Sequence, residues 1–267
     1  MLDVKDLRVS FQRRNLPSVE VIHGLDFTLE RGQTLGIVGE SGSGKSGMSL
    51  AAMGLLPGTA TATGSIMFEG RDILTMPERD LCKLRGNRIG MIFQEPMTAL
   101  NPAMRVGAQI AEGLILQKGM SRAEARTQVL HLLDMVQIPR AAERIDSFPH
   151  EMSGGQRQRI GIAIALALKP DLLIADEPTT ALDVTVQAEV LDILDDLVTD
   201  LGIALMLISH DLGVIARIAD RTLVMYRGDM MEQGPTERVL RQPAHAYTRT
   251  LLDAMPRRVR ASLGDGQ

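Results

Sequence analysis

Four short runs, Leu35–Val38, Ile89–Phe93, Leu172–Ala175 and Ile203–Ile208, are apolar without interruption. A strand with one solvated face alternates polar and apolar residues, whereas a strand covered on both faces does not. Runs this short and this apolar therefore predict a parallel sheet covered on both sides by helices, which is an α/β architecture. Each run leaves the sheet on polar residues. The first leads into Gly39-Glu40-Ser41-Gly42-Ser43-Gly44-Lys45-Ser46, the second into Gln94, the third into Asp176-Glu177 and the fourth into Ser209-His210. Ligands of open parallel sheets bind beyond the carboxyl ends of the strands. Four polar exits predict one shared site there.

The remaining pattern fills in around this sheet. Val4–Phe11 alternates after Val4, with Leu7, Val9 and Phe11 on one side. Val19–Ile22, Leu25–Leu29 and Ser65–Glu69 read as further short strands, the last closed by Gly70, with a turn at Gly32-Gln33. Val106–Gln117 and Arg122–Met135 have helical spacing, and Ser121 with Glu124 forms a capping box before the second. Residues 95–168 read as a helical lobe inserted into a sheet domain formed by 1–94 and 169–235. Residues 236–267 read as a short extension, with a helix at Thr248–Ala254 ended by Pro256 and a loose tail after it.

Composition excludes several classes. Only 3 % of residues are aromatic, so the core is built from Leu, Ile, Val, Ala and Met. A net charge of −4 gives no basic surface for nucleic acid. The single Cys82 rules out an internal disulfide or an all-cysteine cluster supplied by this chain alone, and fits a reducing cytosol. The run Ile160–Leu168 lies between Arg159 and Lys169 and is too short to cross a bilayer. The first residues lack the basic-then-apolar order of a signal peptide. A soluble cytosolic protein is expected.

The chemistry lies at the strand exits. Gly39–Ser46 fits G-x-x-x-x-G-K-[ST], in which small residues let backbone amides turn inward around phosphates at a helix N-terminus. Lys45 would neutralise the β- and γ-phosphates, and Ser46 would give an oxygen to Mg²⁺. The helix expected at Gly47–Leu55 opens on a glycine, for which close packing is one reason. Asp176 would hold the metal, and Glu177 beside it would polarise water or act as a general base. Gln94 could reach metal and water, and His210 could hydrogen-bond the γ-phosphate. His23, His131, His150 and His245 read as structural or exposed. Ser153-Gly154-Gly155-Gln156, before the helical Arg157–Leu168, makes a second anion site from a hydroxyl, two unhindered backbones and a helix N-terminus. One phosphate loop has little use for a second such site within a chain. A two-fold dimer in which each Ser-Gly-Gly covers the partner's nucleotide resolves this.

With these residues in hand, the chain resembles the nucleotide-binding subunit of an ATP-binding cassette (ABC) transporter over about residues 1–235. Walker A is Gly39–Ser46, the Q-loop residue is Gln94, the signature is Ser153–Gln156, and Walker B with its catalytic acid is Leu172–Glu177. Ala181-Leu182-Asp183 is the D-loop, His210 the switch histidine, and Phe11 sits where an aromatic stacks on adenine. The resemblance implies a P-loop (RecA-like) parallel-sheet core with an N-terminal antiparallel β subdomain and an inserted helical subdomain. Met152 stands where the family has Leu, a change that conserves volume.

The stretches Phe93–Pro102, Glu177–Val184 and Gln242–Leu252 look like the oligopeptide, dipeptide and nickel importers. Many of those relatives carry a longer cysteine-bearing tail, which this sequence lacks, so no iron–sulfur cluster is expected. The resemblance implies ATP and Mg²⁺ as ligands and peptide, nickel or a similar solute as cargo. It implies two membrane permease subunits, a second ATP-binding subunit and a periplasmic or extracellular binding protein reached through the permease. The same resemblance implies work at the cytoplasmic face of the inner membrane. Two other classes compete. A non-transport ABC ATPase of a soluble complex could share nearly all of these residues. A GTP-dependent switch would need Asn-Lys-x-Asp, which is absent, and has no task for Ser153–Gln156.

Overall fold

The computed structural model describes residues 1–14, 16–94, 100–180 and 182–255. Glu95–Ala99 of the Gln94 segment, Ala181 of the Ala181–Asp183 loop, and Pro256 with the tail expected after it lie outside the described residues.

The chain opens with strands Leu2–Arg13 (β1), Leu16–Leu29 (β2) and Thr34–Val38 (β3), then helix Lys45–Ala52 (α1). Strands Ala60–Phe68 (β4) and Arg71–Asp72 (β5), helix Glu78–Leu84 (α2) and strand Ile89–Ile92 (β6) follow. Helices Val106–Lys118 (α3), Arg122–Met135 (α4), Ala141–Arg144 (α5) and Gly154–Leu166 (α6) come next. Strand Leu172–Asp176 (β7), helix Val184–Leu201 (α7), strand Ala204–Ser209 (β8) and helix Leu212–Ile218 (α8) lead into the last part. There, strands Arg221–Tyr226 (β9) and Asp229–Pro235 (β10) precede helices Thr236–Arg241 (α9) and Ala246–Asp253 (α10).

Packing divides the chain into two compact units, Met1–Cys82 with Ala204–Gln267, and Lys83–Ile203. The first unit holds an antiparallel sheet in the order β2-β1-β4-β5 and strands in the order β10-β9-β3-β8. In the latter, β3 runs parallel to both β8 and β9, and β10 pairs antiparallel with β9. The second unit holds the parallel pair β6 and β7 together with helices α3 to α7.

The four apolar runs are strands, and every residue of β3, β7 and β8 is buried. That double-sided burial gives each Leu, Ile or Val about 1.5–3 kcal/mol of apolar stabilisation. The N-terminal strands differ from expectation in an instructive way. In β1, Leu2 and Val4 are buried, then Leu7 and Val9, so the phase slips by one residue. The pairing of β1 with β2 shifts register at the same place, between Val4 and Leu7. An inserted residue of this kind is a β-bulge. The two strands expected at Val19–Ile22 and Leu25–Leu29 are one strand, β2, for a related reason. Ile22 and Leu25 are both fully buried although three apart, and Gly24 between them has φ +102°. A bulge with glycine in the left-handed region keeps the strand running across what looked like a break.

Two helix starts move and one holds; the helix expected at Gly47–Leu55 is α1, Lys45–Ala52. The capping box at Ser121 and Glu124 is present as expected, with the Glu124 amide donating to Ser121 Oγ at 3.3 Å and the Ser121 amide to Glu124 Oε2 at 2.8 Å. By contrast, the helix expected at Arg157–Leu168 begins at Gly154. The two glycines form its first turn. Met152 before it is buried, as a Leu-like residue should be.

Candidate functional site

The first unit holds the glycine-rich loop between β3 and α1 close against its neighbours. β3 delivers Gly39 into the loop and α1 leaves it at Lys45. A Cβ on Gly39 would stand 2.3 Å from the Met225 carbonyl oxygen of β9, so only glycine fits. Gly44 caps α1 at φ +100° and lies close to the Val21 carbonyl, which again admits no side chain. The Gly228 amide donates to the Ser43 carbonyl at 3.1 Å and ties the loop to the turn after β9. Lys45 is buried and its Nζ donates to the Gly39 carbonyl at 2.7 Å and the Glu40 carbonyl at 2.9 Å. An ammonium held inside a ring of loop carbonyls, at the N-terminus of a helix, is placed where phosphate oxygens would compete for it. Glu40, Ser41, Gly42 and Ser46 are exposed at the loop surface, while Ser43 is buried. Gly47 is not explained by close packing: a Cβ there would meet only Ile22, at an ordinary 3.8 Å.

Two further expected residues belong to this unit. His210 is exposed immediately after β8, and Asp211 beyond it caps α8 through an acceptor contact from the Gly213 amide at 2.7 Å. Phe11 is half-buried in β1, paired with Val19 of β2 and Ala60 of β4.

The second unit gathers the carboxylates. Asp176 is the last residue of β7 and only 4 % exposed. Glu177 follows with φ +49°, a left-handed backbone that a non-glycine residue adopts at a cost of order 1–3 kcal/mol. Its Oε2 accepts from Gln94 Nε2 at 3.1 Å and from Thr180 Oγ1 at 2.9 Å. The structure therefore brings Gln94 and Glu177 together across 83 residues of sequence. Thr180 was not singled out from the sequence. Its signal was its place one turn after Glu177, where a hydroxyl can reach back.

The Ser153 segment has a split character. Ser153 Oγ accepts from the Gln156 amide at 3.2 Å, and Gln156 Oε1 accepts from the Ser153 amide at 3.1 Å, which is a capping box. A Cβ on Gly155 would stand 2.3 Å from Val186 Cγ1 of α7, so this glycine is required by packing. Gly154 is exposed, and a Cβ there would meet nothing nearer than Leu182 at 4.0 Å. Asp183 caps α7, its Oδ1 accepting from the Thr185 amide at 3.1 Å and the Val186 amide at 3.0 Å.

A strand-bound phosphate loop together with a capped Ser-Gly-Gly helix start defines an ATP-binding cassette. The ABC transporter profile matches residues 22–180, more than half of the chain, and the chain belongs to that family. Residues 231–264 match the oligopeptide/dipeptide transporter C-terminal region, which narrows the branch. The oligopeptide transport ATP-binding protein OppD of Salmonella typhimurium is 53 % identical over 257 residues, covering 96 % of this chain and 76 % of that one. A dimeric cassette, MJ0796, solved in a post-hydrolysis state with ADP and phosphate, superposes with a TM-score of 0.78 at 25 % identity, covering 88 % of this chain and 99 % of that one. The cassette cbiO1 of Clostridium perfringens, part of the transporter complex cbiONQ, superposes with a TM-score of 0.77 at 26 % identity over 98 % of each chain. The P-loop fold that the resemblance implies is the fold of these cassettes.

Proposed function

We propose that this subunit hydrolyses ATP to drive import of di- and oligopeptides. It works against a pair of membrane permease subunits that receive cargo from an external binding protein. Support for the cargo comes from the C-terminal match at 231–264 and from the likeness to oligopeptide transport ATP-binding proteins. No helix among the described residues is long and apolar enough to cross a membrane. A seat on the cytoplasmic face, held by the permease, follows from that reading.

In this mechanism the backbone of Gly39–Gly44 receives the phosphates and Lys45 turns from the loop carbonyls toward them. Ser46 and Asp176 would hold Mg²⁺, whose role when bound is to offset phosphate charge. The donor chemistry fits, since Mg²⁺ prefers one or two oxygen ligands plus substrate phosphates over an all-protein cage. Among the described residues no group of three His, Cys, Asp or Glu forms such a cage. Glu177 orients the attacking water, with Gln94 and Thr180 fixing its carboxylate. His210 hydrogen-bonds the γ-phosphate, and Phe11 stacks on adenine. A second ATP-binding subunit presents its Ser153 and Gly154 to the nucleotide, with Asp183 at the shared edge. Catalysis of this kind is mostly positioning and charge stabilisation.

The observation that carries the reading is the Glu177 carboxylate, displayed from a strained turn after a buried strand and held by Gln94 and Thr180. Replacement Glu177→Gln keeps the phosphate loop and removes the base. The expected result is unchanged MgATP binding with turnover lowered on the order of 10²–10⁴-fold. Near-normal turnover would remove Glu177 from this role. Cargo is read by peptide uptake into vesicles containing the subunit with its permease and binding protein.

A further inference from the structure

The turn between β9 and β10 grips the Gly39–Ser46 loop from outside it. Tyr226 of β9 pairs with Asp229 of β10, which leaves Arg227 and Gly228 as a two-residue connection. Both have positive φ, +49° and +91°. A type I′ hairpin turn requires that of its two central residues. The Gly228 carbonyl accepts from the His23 amide of β2 at 3.0 Å, and the Gly228 amide donates to the Ser43 carbonyl at 3.1 Å. Gly228 is thus bonded to β2 on one side and to the loop on the other. Close packing holds it there. A Cβ on Gly228 would stand 2.6 Å from the Val21 carbonyl oxygen and 2.9 Å from His23 Cε1. A Cβ on Gly44 would stand 2.8 Å from the same Val21 oxygen. One carbonyl of β2 therefore lies against two glycines that are far apart in sequence.

The bond to Ser43 has a consequence for the next residue. A trans peptide group is planar, so the Ser43 carbonyl and the Gly44 N–H point in opposite directions. With the carbonyl turned to Gly228, the Gly44 N–H points away from the β9–β10 turn. The neighbouring peptides are fixed as well: the Ser43 amide donates to the Glu40 carbonyl at 3.2 Å, and the Gly44 carbonyl accepts from the Met48 amide at 3.0 Å. Gly44 is the N-cap of α1, so its N–H stands beside the positive end of that helix. A backbone N–H in that position is a donor suited to a phosphate oxygen. The carbonyls of the loop have two kinds of partner. Those of Gly39 and Glu40 are held by Lys45 Nζ, an ammonium that phosphate oxygens would draw away. That of Ser43 is held by a backbone amide of another hairpin, which keeps its hold when Lys45 turns.

We propose that Gly228 is a positioning residue for nucleotide: by holding the Ser43 carbonyl, its amide keeps the Gly44 N–H aimed at the phosphates, before and after Lys45 turns to them. The inference rests on reading Gly39–Ser46 as the phosphate site. It places a determinant of phosphate affinity outside that loop, in the β9–β10 hairpin.

The test replaces Gly228 by glycolate in the full chain, an amide-to-ester change that deletes the N–H and adds no Cβ. Affinity is measured by equilibrium titration for MgATP and for inorganic triphosphate, which carries phosphates without a base. Without the tie the Ser43–Gly44 peptide is free to rotate, and binding must order it again. Ordering one residue is worth about ten-fold in affinity, so both ligands should bind the ester chain about ten-fold more weakly. If either ligand binds it as tightly as the parent, the proposal is overturned. A second measurement uses the parent alone, labelled at glycine for nuclear magnetic resonance. Triphosphate should shift the Gly44 amide proton downfield, as a new bond to an anion does, and leave the Gly228 amide as protected from hydrogen exchange as before. An unmoved Gly44 resonance, or a Gly228 amide that exchanges faster with ligand bound, overturns the proposal whether or not the ester chain folds. If the parent binds neither ligand, the phosphate-site reading fails. If it binds both and the ester changes nothing, only the Gly228 inference fails.

Discussion

At the scale of single residues, the two glycines of the Ser153 segment show how far a sequence pattern can be resolved. As a pattern, Gly154 and Gly155 were one feature, two unhindered backbones before a helix. The structure gives them different reasons. Gly155 is filled by Val186, a β-branched side chain with little freedom to move aside. Gly154 faces open space within the chain, so its lack of a side chain is free to serve a ligand. Gly155→Ala should therefore destabilise the protein by about 1–3 kcal/mol, as overpacking does. Gly154→Ala should leave the midpoint of thermal or urea unfolding unchanged while lowering ATP hydrolysis. A Gly154→Ala protein that unfolds early would return this glycine to a packing role. The reach of Gln94 and Thr180 to Glu177 was not legible, because hydrogen bonds between distant residues follow from the fold and not from spacing.

At the scale of elements, legibility followed the strength of the periodic signal. The doubly buried strands were readable because no alternation had to be phased. The breaks in β1 and β2 were readable as irregularity but not as bulges, since pairing partners decide whether a chain turns or bulges. Helix α7 is flanked by a start and a stop signal, Asp183 and Gly202, but the resemblance assigns Asp183 to a loop and so hides the helix start. The β9–β10 hairpin was missed too, although its turn, Arg227-Gly228, lies between two apolar-containing runs.

That turn carries a pH dependence. His23 Nδ1 pairs with Asp229 at 3.2 Å, and its Nε2 is 3.2 Å from the Glu20 carbonyl. The hydrogen bond to Asp229, against some desolvation, raises the His23 pKa above 6.5. A raised folded-state pKa means that the stabilisation is fully present below about pH 6.5, the unfolded value. It is lost as pH rises through the folded value. The side chains are 35 % and 51 % exposed, so the tie is worth roughly 0.2–1 kcal/mol at most. Asp229→Asn should lower the unfolding midpoint by a small amount in mildly acidic buffer, and the gap to the parent should close in alkaline buffer. A gap that widened with pH would assign the effect to something other than His23.

At the scale of the whole molecule, the argument turns on number. The sequence has one Gly39–Ser46 loop and one Ser-Gly-Gly helix start, and on the proposed function each offers half of an anion site. Ser153 and Gly154 are exposed, and Val184, at the start of α7 next to Asp183, is 82 % exposed although apolar. These features suit a face that a second cassette covers when nucleotide is bound. In Glu177→Gln, hydrolysis cannot reopen that contact, so MgATP should convert the 29.1 kDa chain to a particle of twice the mass, read by light scattering on a sizing column. Adding Gly154→Asp to that variant sets a carboxylate against the partner's phosphates. The doubled mass should then disappear, while nucleotide binding by the single chain persists, because the phosphate loop is untouched. If Glu177→Gln stays at single mass with MgATP, two copies of this chain do not close on each other. The second cassette must then be a different subunit, and titrating candidate subunits into the same column run would show which one doubles the mass.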